Sequence, residues 1–201
     1  MRSIIRFGLA TTTVALTLLT AACDQARSPL APKAHAPTAS PLWVHAGGDT
    51  LVDTFTLPAG TTASFTEDFG DGSVVEFPRG LASVCDAQST KYGPGTWDQP
   101  CTVATQAITF TVKMWKEANG MPHIDFSPSV RFAPEVNVSL AFHSPTAANA
   151  WWSNIQYCAT ATSACIDESL TDPSLTTDTD PATGYIFRRI KHFSGYNVVA
   201  D

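Results

Sequence analysis

The sequence predicts an all-β fold, a β-sandwich, from three observations. Apolar residues alternate with polar ones in several short runs, and Gly- or Pro-bearing turns separate those runs. No window beyond the first 23 residues carries a helical period, and 14 prolines scattered along the chain oppose long helices. Strands at this spacing, with turn signals between them, are the pattern of two packed antiparallel sheets.

Taken in order, the strands begin with residues 50–57, TLVDTFTL, which stop at the turn PAG. Residues 72–78, GSVVEFP, form a short apolar run bounded by Gly and Pro. In residues 106–115, QAITFTVKMW, the residues Ile108, Phe110, Val112 and Met114 share one face, and Thr109, Thr111 and Lys113 share the other. The turn EANG, residues 117–120, follows. Residues 136–143, VNVSLAFH, repeat the alternation, with Val136, Val138, Leu140 and Phe142 facing inward. WWSNIQYC (151–158) and GYIFRRIKHF (184–193) read as further strands across a long polar loop.

The chain of 201 residues allows one ordinary domain with appendages. With 44% hydrophobic and 15% charged residues it can bury a core. Its net charge of −6 and its 12 dispersed Lys and Arg argue against nucleic acid as a partner.

Residues 1–22 carry a positive start at Arg2 and Arg6, then an uncharged, mostly apolar run from Phe7 to Thr20, then Ala21 and Ala22. That run suits a secretory signal and is short for a membrane span. Together with Cys23 it ends in LTAAC, which resembles the lipobox of bacterial lipoproteins; Thr20 stands where that motif more often has Leu. The resemblance implies cleavage before Cys23, acylation of its thiol, and a chain anchored by lipid on the periplasmic or cell-surface side of the envelope. Residues 23–42, with Pro29, Pro32, Pro37 and Pro41, read as an extended tether, so the folded domain is expected over 43–201.

Lipidation of Cys23 leaves Cys85, Cys101, Cys158 and Cys165, an even number in an oxidising compartment. Four cysteines allow three pairings; the local bridges Cys85–Cys101 and Cys158–Cys165 close the shortest loops and are favoured. Their spacings do not suit a zinc knuckle.

Candidate chemistry is sparse, and no cofactor motif is present. EDFGDGSV (67–74) reads as a Gly-rich turn, and it resembles the DFGDG turn of PKD-type sandwich domains; Asp68 and Asp71 could hold calcium there with loop carbonyls. The acidic loop 165–184 carries Asp167, Glu168, Asp172, Asp178 and Asp180, followed by Arg188, Arg189 and Lys191, which could neutralise it without a metal. Trp151 and Trp152, adjacent in an expected strand, put one ring in the core and one outside, where a sugar or a protein partner could meet it. The remaining candidate is His192-Phe193-Ser194 near the end of the chain.

The stretches GSVVEFPRGLA (72–82) and KHFSGYNV (191–198) together resemble the ZU5 domain, a β-sandwich module of scaffold, receptor and bacterial envelope proteins. The first carries a Gly-rich turn, a strand and the turn Phe77-Pro78-Arg79-Gly80; the second carries a closing His-Phe-Ser strand. The segment between Cys85 and Cys101 departs from that family. The resemblance implies a non-enzymatic structural or interaction role in the cell envelope. Because some ZU5 proteins cut themselves between Phe and Ser, it also implies an alternative. Ser194 would attack the Phe193 carbonyl, with His192 as base and a strained peptide lowering the barrier. A carbohydrate- or calcium-binding adhesion module is the third expectation.

Overall fold

The computed structural model describes residues 50–88, 91–160 and 163–200. The signal segment, Cys23, the tether and the first residues of the expected domain lie outside the described residues.

Among the described residues eleven strands pair antiparallel in two sheets. The six-stranded sheet has the order β1 (Leu51–Leu57), β4 (Ile108–Lys116), β5 (Pro122–Ser127), β11 (Gly195–Ala200), β7 (Ser153–Cys158) and β8 (Cys165–Ile166). The five-stranded sheet has the order β2 (Phe65–Asp68), β3 (Val74–Phe77), β6 (Val138–His143), β10 (Tyr185–Ile190) and β9 (Asp178–Asp180). The all-β sandwich expected from the alternation is therefore what the chain forms. Among the described residues helix is confined to short turns, the longest being Gly80–Ser83 and Pro145–Ala148 at 4 residues each.

The inward faces follow the predicted period. Phe110, Val112 and Met114 are buried on β4, and Val138, Leu140 and Phe142 on β6. Ser139 and Ala141 on β6 are buried as well, because β6 is an inner strand between β3 and β10 and its outer face is also covered. Gly80 turns the chain at φ +51°, where a Cβ would stand 2.7 Å from the Ala63 carbonyl oxygen, so the Pro-Arg-Gly turn requires glycine.

The core centres on aromatic rings. Phe193 stacks parallel on Phe126 with centroids 3.8 Å apart and meets Phe77, Phe110 and Phe132 edge-on at 5.6, 5.0 and 5.0 Å. The edge contacts add to the stabilisation from area burial. The strand expected over 184–193 ends at Ile190, so His192-Phe193-Ser194 is not a strand segment. It is the crossing from β10 in one sheet to β11 in the other, driven by the insertion of Phe193 between them.

Both expected disulfides are present, Cys85–Cys101 and Cys158–Cys165. They point to an oxidising compartment outside the cytoplasm. No helix among the described residues is long and apolar enough to cross a membrane.

Two outcomes follow from this packing. Phe193→Ala should lower unfolding free energy by about 3–5 kcal/mol and Phe193→Leu by about 1 kcal/mol, read from urea denaturation. The second concerns Glu67, whose carboxyl is pushed up to about 7 by burial and then by the charges of Asp53 and Asp68. The folded state therefore favours its protonated form, and that advantage is lost as pH rises from the ordinary carboxylate value through 7. Glu67→Gln should raise the melting temperature at about pH 8 and leave it unchanged at about pH 4.

Candidate functional site

All three residues of the crossing are buried. Their backbone is held on both sides. The Phe193 N–H donates to the Val130 carbonyl at 2.7 Å, the Phe126 N–H donates to the Ser194 carbonyl at 2.9 Å, and the Phe132 N–H donates to the Lys191 carbonyl at 2.9 Å. The Tyr196 hydroxyl donates to the His192 carbonyl at 2.7 Å. The Tyr92 hydroxyl donates to the Phe193 carbonyl at 2.8 Å, which is the carbonyl of the Phe193–Ser194 peptide.

His192 lies between two charged or polar environments. Its Nε2 is 3.0 Å from Oε1 of Glu168, and the other Glu168 oxygen accepts from Nη2 of Arg188 at 2.7 Å. Arg188 has no exposure and donates further to the carbonyls of Ile155 and Arg189. Burial alone would raise the Glu168 carboxyl, but the hydrogen bond and charge of His192, with the charge and hydrogen bond of Arg188, outweigh it and hold the group below its ordinary value. Glu168 is thus a carboxylate, and whenever the imidazole is neutral it fixes the tautomer in which His192 Nε2 carries the proton and Nδ1 offers a lone pair.

Three hydroxyls face that lone pair: Ser194 at 3.5 Å, Tyr196 at 3.4 Å and Tyr92 at 3.4 Å. Both tyrosine hydrogens are committed to carbonyl oxygens, whereas the Ser194 hydroxyl is shared between His192 Nδ1 and the Tyr92 and Tyr157 phenols. Burial raises both phenols, Tyr92 to about 12 and Tyr196 well above its ordinary value, which keeps them hydrogen-bond donors at neutral pH. The imidazole plane is fixed by Trp97, stacked at 4.1 Å, and by the edge contact of Tyr157 at 4.6 Å. Together these groups form an oriented carboxylate–imidazole–hydroxyl series, with a donor already on the carbonyl oxygen beside the hydroxyl.

Tyr92 and Trp97 come from the loop closed by Cys85–Cys101. Arg131 and Lys191 draw that loop onto the site. The Arg131 guanidinium donates to the carbonyls of Thr96 and Pro100, and the Lys191 ammonium pairs with Asp98 and Asp172. Glu168 comes from a 3-10 turn, Glu168–Leu170, capped by the Asp167 side chain accepting from the Ser169 N–H.

The expectation that one of Trp151 and Trp152 enters the core is corrected, and Gly195 beside Ser194 is required by close packing. Gly195 does not have a positive φ; a Cβ there would lie 2.4 Å from Oδ1 of Asp125 and 2.8 Å from the Cys158 carbonyl oxygen, so close approach of β5 and β7 requires it, and no left-handed strain is stored beside Ser194. Trp151 and Trp152 precede β7 in a bend, and both are exposed, so neither belongs to the core.

Two carboxylates of the acidic loop pair with the cations that follow it, Glu168 with Arg188 and Asp172 with Lys191. Asp68 and Asp71 each accept a backbone N–H two residues ahead, from Gly70 and Ser73 at 2.8 Å, and so shape the turn between β2 and β3.

Comparison with family models, with curated protein sequences and with solved structures found no match. The ZU5 likeness is carried by its two motifs alone.

Glu168→Gln should destabilise the fold by about 3 kcal/mol, because Arg188 would keep its buried charge without a partner. Urea denaturation beside the conservative exposed change Asp178→Asn, which should be near neutral, measures it.

Proposed function

We propose that this chain is an exported, lipid-anchored cell-envelope protein whose ZU5-like sandwich cleaves its own backbone between Phe193 and Ser194. The observation that carries the reading is the Tyr92 hydroxyl on the Phe193 carbonyl oxygen while His192 Nδ1 faces the Ser194 hydroxyl. Ser194 Oγ attacks the Phe193 carbonyl carbon and gives its proton to His192 Nδ1. Tyr92 stabilises the negative charge that develops on the oxygen, and Glu168 stabilises the imidazolium. His192 then returns the proton to the Ser194 nitrogen as the C–N bond breaks, leaving an ester between Phe193 and the Ser194 side chain. Water adds to that ester, the C–Oγ bond breaks, and the products are a Phe193 carboxylate and a free Ser194 amine and hydroxyl.

The cut ends stay together in this reading. β11 lies between β5 and β7, paired to both, so the severed strand keeps its place as an inner strand of the six-stranded sheet. The two disulfides suit an exported protein, and lipid on Cys23 would hold it at a membrane.

A second reading is a non-enzymatic structural or interaction role, in which the buried His192 cluster only pins the crossing. One feature favours it: Trp151 is 92% exposed, a large apolar ring free to meet a protein or glycan. The two readings part on the variants. Denatured protein, separated by reversed-phase chromatography, should release the peptide 194–201 from the natural chain and none from Ser194→Ala or His192→Ala. Tyr92→Phe should slow its appearance by about 100-fold, the usual cost of one oxyanion donor. A natural chain that never releases the peptide leaves the interaction role.

A further inference from the structure

An open cleft of about 110 Å³ is lined by Cys85, Ala87, Tyr92, Ser129, Val130 and Arg131. Two of those residues grip Phe193: the Tyr92 hydroxyl donates to its carbonyl oxygen, and the Val130 carbonyl accepts its N–H. Two walls of the cleft thus touch the residue whose acyl group self-cleavage would leave as an ester. Ala87 and Ser129 are exposed and form its outer rim, whereas His192 and Ser194 behind it are buried. Its size admits several water molecules. Arg131 adds a donor: its buried Nε has no hydrogen-bond partner, and the oxygen of a bound water would satisfy it.

We infer that this cleft is the binding site of the external nucleophile that resolves the ester, and that it admits small neutral nucleophiles such as water and hydroxylamine while excluding bulky ones. The inference rests on the self-cleavage reading and specifies its second half. In the resolving step the nucleophile's lone pair attacks the Phe193 carbonyl carbon, the C–Oγ bond to Ser194 breaks, and the nucleophile's proton passes to the Ser194 oxygen. Water yields a Phe193 carboxylic acid, and hydroxylamine yields a Phe193 hydroxamate. Trp97, from the stapled loop, stacks on the His192 ring, whereas Tyr92 and Ser129 line the cleft.

The test incubates the folded protein with hydroxylamine or with O-benzylhydroxylamine and reads the mass of the fragment ending at Phe193. The expected result is hydroxamate from hydroxylamine and none of the benzyl adduct. Ala87→Leu, which places a larger side chain at the exposed rim, should cut hydroxamate formation by about tenfold or more, equivalent to about 1.4 kcal/mol. Equal capture of both reagents, or capture unchanged in Ala87→Leu, would overturn the cleft as the route while leaving self-cleavage standing. A natural chain giving neither acid nor hydroxamate at Phe193 would remove the self-cleavage reading and this site with it. The comparison of the two reagents on the natural chain does not depend on how Ala87→Leu folds.

Discussion

One buried carboxylate, Glu168, holds the end of this structure together. It is shared between Arg188 on β10 and His192 on the crossing to β11. Two charges removed from water cost several kcal/mol each, and only a tight, fully hydrogen-bonded arrangement recovers that cost. Arg188 meets the requirement by spending its other donors on the carbonyls of Ile155 and Arg189. The same arrangement dictates which His192 nitrogen is protonated. An interaction that serves the fold thus also sets the chemistry available at Ser194.

The second constraint is steric. Phe193 is locked among four phenylalanine rings, and Gly195 is wedged against β5 and β7. The peptide between Phe193 and Ser194 is therefore fixed from both sides before any chemistry is considered. The positions of His192 and Ser194 around it follow from that fixing, without left-handed strain. What distinguishes this peptide is its company: the Tyr92 phenol donates to its carbonyl oxygen, and the His192 imidazole faces the Ser194 hydroxyl beside it.

Much of the fold was legible in the sequence because burial on one face of a sheet writes itself as alternation. β4 shows this over Ile108, Phe110, Val112 and Met114, and the two local disulfides followed from parity and loop length. The crossing at 191–194 reads as a strand only if a change of parity is passed over: Phe193 is at an odd position and Tyr196 and Val198 at even ones, so one continuous strand would put them on opposite faces. β5, PHIDFS, was missed because it begins with proline and shows only Ile124 and Phe126 as alternating apolar residues. Of the site, His192, Phe193 and Ser194 were found by motif. Tyr92 and Glu168 were not, since they sit 101 and 24 residues away from their partners. A hint existed in each case. An aromatic-bearing loop stapled by Cys85 and Cys101 stood where the ZU5 pattern has no such insertion, and an acidic loop ran directly into Arg188, Arg189 and Lys191.

The central claim is that the His192 series acts on the Phe193–Ser194 peptide rather than merely packing beside it. The intact mass of the chain from Asp24 onward, measured under denaturing but non-reducing conditions, addresses it most directly. The expected spectrum holds a chain ending at Phe193, lighter by the hydrogens lost to two disulfides, and a separate peptide SGYNVVAD. A single species ending at Asp201, with both disulfides formed and unchanged after prolonged incubation of the folded protein, would contradict the claim.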